Sequence, residues 1–173
     1  MRRMLAIPLL ALSLTLHAAP AELDWLDLLP PEDLAALEAM PEIEHNSPES
    51  DGFSAEGGFL KQAPGLPEVM YSTRTVADLN GRDIRLAGYP VPLESNEQGR
   101  FVEFFLVPYP GACIHVPPPP PNQIVLVRYP QGIRIDDIYA PLDVQGRLRI
   151  EVAENAVAEA AYALTAETVT LYE

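Results

Sequence analysis

The segment "GACIHVPPPPPNQ", Gly111 to Gln123, sets the chain's only cysteine two residues before a histidine and follows both with five prolines. Ala112, Ile114 and Val116 alternate with Cys113 and His115, so in an extended segment the thiol and the imidazole share the face opposite the apolar trio. Residues two apart on a strand lie about 6.5–7 Å apart at Cα. Two side chains can close that span around a zinc ion with bonds of about 2.0–2.3 Å. The same residues also fit a structural role, because a cysteine after Gly-Ala in an apolar stretch packs well as a small hydrophobe. Thiol redox chemistry or a Cys–His dyad is a third reading, although no orienting third residue or oxyanion motif accompanies the pair.

The surrounding composition narrows these readings. A lone cysteine cannot form an internal disulfide. Of the three histidines, His17 falls in an apparent export signal, leaving His45 and His115, so one chain cannot assemble a closed site of four Cys and His ligands. A divalent metal, zinc by ligand type, would need carboxylates, water or a partner to complete its shell, and Glu103 and His45 are the additional candidates.

Pro117, Pro118, Pro119, Pro120 and Pro121 offer no backbone N–H and fix φ. They predict a polyproline II rod of roughly 15 Å, at about 3.1 Å per residue, which cannot sit inside a sheet. The expectation is a course across the surface, where the rod stiffens the chain after His115. There it could form a docking face with Tyr109, Tyr129, Asn122 and Gln123. On that alternative the protein is an interaction module and Cys113 belongs to the core.

The elements that must carry this segment can be read from patterning. Met1 to Arg3 and the apolar run Leu5 to Leu16 form a basic head and a hydrophobic stretch too short to span a bilayer, which predicts a signal peptide over residues 1–21 with Ala19-Pro20-Ala21 as its cleavage site. Pro20 after the scissile bond disfavours cleavage at Ala19. No cysteine stands near the site to carry a lipid, so the expected mature chain is a periplasmic protein without a membrane anchor. Residues 22–40 predict an N-terminal segment with one helix over 31–40. Pro31 stands at its first position, Glu32 and Asp33 favour the positive end of its dipole, and Trp25 is the anchor. Residues 41–69, rich in Glu, Ser, Gly and Pro, read as a linker or mobile loop.

From residue 70 to 173, five runs alternate or are β-branched: "RDIRLAGYPVPLE" after the turn dipeptide Asn80-Gly81, then "RFVEFFLVPY", "QIVLVRY", "APLDVQGRLRIEV" and "AAYALTAETVTLYE". Gly146 marks either a hairpin turn or a bulge in one bent strand. Together these predict a mainly β fold, a small OB-like five-stranded barrel with a short N-terminal helix; a β-sandwich is the alternative.

Charge excludes one class of partner. The chain carries a formal net charge of −14, and removing Arg2 and Arg3 makes it −16. Lys61 is its only lysine. Phosphate backbones are therefore repelled, and nucleic acid is not an expected ligand.

The stretch "LNGRDIRLAGYPVPLE" with "FFLVPYPGACIHVPPPPPNQIVLV", continued by "PLDVQGRLRI" and "AYALTAETVTLYE", resembles an exported bacterial family known as domain of unknown function 3299. The resemblance covers about 100 residues, Val76 to Glu173. It implies a periplasmic or lipid-anchored OB-like protein, and genes of such proteins lie near ABC-type transporter components, some in clusters that respond to zinc limitation. It thereby implies a non-enzymatic accessory to zinc uptake. The chain departs from some members in lacking a lipobox cysteine.

Overall fold

The structure, a computed structural model, describes residues 19–40, 65–110, 112 and 118–172. The expected signal segment through residue 18 and linker residues 41–64 lie outside this set.

Five strands close a barrel: β2 (Asp83–Ser95), β3 (Phe101–Val107), β4 (Val125–Ile133), β5 (Leu142–Glu154) and β6 (Glu159–Leu171). A two-residue strand, β1 (Ala21–Glu22), runs parallel to β2 and precedes the helix α1 (Pro31–Glu38). The barrel order is β2-β3-β4-β6-β5 and back to β2, antiparallel except for the parallel pair β4–β6. This mainly β, closed five-stranded architecture is the predicted OB-like one. Closure depends on β2 changing partner: Asp83 to Gly88 pair with β5, and Tyr89 to Ser95 pair with β3. A bent strand that serves both ends of a sheet leaves no exposed edge there.

Alternation decides which side chains enter the barrel. Ile84, Leu86, Phe104, Leu106, Val125, Val127, Val144, Leu148, Tyr162 and Leu164 form its interior. Across three strands the inward row Phe104, Val127, Leu164 lies beside the outward row Phe105, Leu126, Ala163. The outward row is buried too, in a second cluster with Val107, Ala112, Ile124, Ala158 and Ala160. These strands therefore read as near-continuous apolar runs because both of their faces are covered.

The N-terminal segment is part of the barrel. Leu23 N donates to Arg85 O (2.9 Å) and Trp25 Nε1 donates to Ala87 O (2.7 Å). Gly88 makes this seating possible, because a Cβ there would lie 2.7 Å from Trp25 Cζ2 and 2.9 Å from Leu106 Cγ. Leu28 is fully buried, and its carbonyl accepts the Tyr162 hydroxyl (2.8 Å), which in turn accepts Val76 N (2.7 Å). Replacing Tyr162 by Phe keeps the ring and strands both backbone groups. The expected loss is about 1–3 kcal/mol, read as a lower urea midpoint at unchanged slope.

Two expectations change. The helix begins at Pro31 as predicted but ends at Glu38, short of the expected residue 40, and its one buried residue is Asp33, while Leu34 and Leu37 are only half-buried. Ordered structure also begins before residue 70, within the stretch read as linker, since Glu68–Tyr71 form a 3-10 turn and Val69 is buried. Gly146 lies within one continuous strand and is not a hairpin turn: the register of β5 against β6 shifts between Gln145 and Gly146, and the extra residue at that shift, Glu167, belongs to β6.

Candidate functional site

The connection from β3 to β4 contains the residues singled out for chemistry. Cys113, His115 and Pro117 lie outside the described residues, as does His45. Their described neighbours are firmly held. Ala112 is 1% exposed within the outer cluster, and Pro118, Pro119, Pro120 and Pro121 are all buried. The chain is thus anchored on both sides of Cys113 to Pro117.

The expected surface course of the prolines is corrected for residues 118–121. Pro120 keeps the extended geometry of a polyproline rod (φ −61°, ψ 156°), but Pro121–Gln123 then form a buried 3-10 turn. That turn packs on β6 and on the Trp25–Leu28 turn. A rod without N–H donors can be buried at modest cost, because it carries no donor that needs a partner. Asn122 and Gln123 are likewise interior, not part of a docking face: Gln123 Nε2 donates to Trp25 O (2.7 Å). Tyr109 is half-buried against the outer cluster, and burial pushes its phenol up to about 12, so it stays protonated at any physiological pH. Tyr129 packs against the barrel interior.

Asn122 leads to a network that patterning did not single out. Its Nδ2 donates to Asp33 Oδ2 (2.8 Å) and to Arg74 O (3.0 Å), and Ser72 Oγ donates to the same Asp33 oxygen (2.5 Å). Arg74 donates to Asp33 Oδ1. Asn122 N also donates to Ser72 O (3.2 Å). One fully buried carboxylate therefore ties α1, the 72–74 segment and the end of the proline run together. Burial raises the Asp33 pKa, yet the hydrogen bonds from Arg74 and Ser72, the Arg74 charge and the Asn122 bond outweigh it and leave the carboxyl below its ordinary value. In the sequence Asp33 looks like any acid in a first helical turn, and only its partners mark it.

Glu103, the carboxylate candidate for a metal shell, sits on β3 opposite Arg128 of β4, with Oε2 3.5 Å from Arg128 Nε. Arg128 is shared with Glu151 (2.7 Å). Among the described residues, no group of three or more His, Cys, Asp and Glu side chains gathers as a metal site.

The sequence profile of the family described as "Protein of unknown function (DUF3299)" matches residues 25–171. The chain belongs to the DUF3299 family. A crystal structure of a DUF3299 family protein from Pseudomonas aeruginosa PAO1 is similar, with 40% sequence identity and a TM-score of 0.67, covering 90% of this chain and 98% of that one. No curated protein matches the chain. The DUF3299 match begins at Trp25, well before the Val76 start of the resemblance read from the sequence, and so takes in Trp25, Asp33 and Arg74. The part of the N-terminal segment from Trp25 onward thus belongs to the family unit.

Proposed function

We propose that this DUF3299 protein is a non-enzymatic accessory of the bacterial periplasm that binds a divalent metal, zinc by ligand chemistry, through Cys113 and His115, or assists a zinc-linked ABC-type transporter. The observation that supports the reading is the anchoring of the β3–β4 connection on both sides of the pair, by buried Ala112 and by buried Pro118 to Gln123. A loop whose ends are held loses less conformational freedom when its side chains converge on an ion. The rival reading, docking through the proline run, is less well supported, because Pro118 to Pro121 turn inward.

The reading is tested by calorimetric zinc titration of the demetallated protein and of Cys113→Ser and His115→Ala variants. Each substitution is expected to weaken binding about tenfold or more, and acidification to weaken it further, since protons compete with the metal for the thiolate and the imidazole. Equal affinity in the parent and both variants would eliminate the site.

A further inference from the structure

On the outside of the barrel, where the N-terminal segment crosses β2, a cavity of about 330 Å³ opens to solvent. Its walls are Trp25, Tyr89, Tyr172, Pro108 and Pro141, and Ala87 leaves its floor low. The alternation of β2 accounts for the opening, because Arg85, Ala87 and Tyr89 all point outward and the middle one is small. The Trp25 ring is held by its N–H bond to Ala87 O, so this wall is rigid before any ligand arrives.

The charges at the cavity are unevenly matched. Arg85 is already engaged: its Nε and NH2 groups meet Asp143 Oδ2 at 2.7 and 2.5 Å. Glu22 stands only loosely beside it at 3.7 Å, with a side chain 77% exposed, and Asp24 adds a second lining carboxylate. With Arg85 neutralised by Asp143, the lining presents two further negative charges beside three aromatic rings. Aromatic faces attract cations, most strongly when neighbouring carboxylates add to the field. An anion would meet both the local carboxylates and the net charge of −14. The cavity volume falls at the small end of the roughly 300–1,000 Å³ of ligand pockets.

We propose that this cleft binds an organic cation, an ammonium or guanidinium group, supplied by a free solute or by a lysine or arginine side chain of a partner. The proposal does not depend on the metal reading.

Trp25 is the only tryptophan in the chain, so its emission reports on the cleft directly. The test titrates the purified protein at constant ionic strength with tetramethylammonium chloride, with the blocked tripeptide Gly-Arg-Gly, and with sodium glutarate as the anionic control. A saturable change is expected with a cationic probe and not with glutarate. Its midpoint should rise about fivefold or more in Tyr172→Ala and Glu22→Gln, both changes at exposed positions the fold tolerates, and stay unchanged in Cys113→Ser. A lower midpoint for tetramethylammonium assigns the site to a free organic cation, and one for the peptide assigns it to a basic partner chain. No saturable response to either cation, an equal response to glutarate, or midpoints unmoved in both variants would overturn the proposal.

Discussion

Gly146→Val is expected to cost at least about 3 kcal/mol and to lower the melting temperature by roughly 6–12 °C. The cause is backbone proximity, not the loss of a favourable contact. A Cβ at position 146 would press against Thr165 O and lie 2.8 Å from Ala166 Cα and 2.9 Å from Thr165 C. All three atoms belong to the β6 main chain, so no rotamer change can relieve the overlap. Residue 146 also faces Ile84 of β2, which places the strain where β5 is paired on both sides and where its register against β6 shifts. Thermal unfolding followed by far-UV circular dichroism checks this, and a melting temperature within about 2 °C of the parent would show that the two strands can separate without loss.

The second large effect is expected at Asp33. Asp33→Ala removes the common acceptor of Ser72, Arg74 and Asn122, leaving the Ser72 hydroxyl and the interior Asn122 amide short of a partner. Breaking a fully buried ion pair costs about 3–5 kcal/mol; the Arg74 side chain is 53% exposed and water can take up its charge, so about 2–3 kcal/mol is expected here. The same carboxylate makes stability depend on pH. Its folded pKa is depressed, so the unfolded chain binds the proton more readily. The stabilisation is therefore fully present above the unfolded aspartate value of about 3.9 and is lost as pH falls through the lower folded value. Urea midpoints of the parent should fall more steeply below about pH 4 than those of Asp33→Asn, which cannot titrate. Parallel curves for the two proteins would remove Asp33 from the acid response.

The legible part of this fold is the part controlled by local rules. Alternation along "RDIRLAGYPVPLE" returned β2 with its inward Ile84 and Leu86, and Pro31 returned the start of α1. Both signals arise within a few residues, from the period-two geometry of a strand and the missing N–H of proline. Gly146 is legible as an interruption of the pattern, but whether the strand turns or continues there is not. A hairpin and a bulge share the glycine and differ only in which strand lies opposite.

The proline run shows the opposite case. Its stiffness and lack of donors are properties of the residues, and Pro120 keeps the extended geometry they impose. Whether such a rod lies on the surface or inside depends on what arrives to cover it. Here its end packs on β6 and on the Trp25–Leu28 turn, segments far away in the sequence. Asn122 and Gln123 turned inward for the same reason, because their acceptors, Asp33 and Trp25 O, come from the N-terminal segment. The cation-binding cleft is likewise assembled from Glu22 to Trp25, Arg85 to Tyr89, Pro108, Pro141 and Tyr172, none of which forms a motif in one stretch.

The sequence by itself therefore determined the strand set, the helix start, the net charge of −14, and the Cys113–His115 spacing that permits metal ligation. Tertiary structure alone decided that Asp33 is a buried junction, that Pro118 to Pro121 are interior, and that Trp25 walls a cleft. Periodicity and backbone chemistry act over a few residues and can be read along the chain. Burial and charge compensation are set by residues brought together across dozens of positions, and they become definite only when the barrel closes.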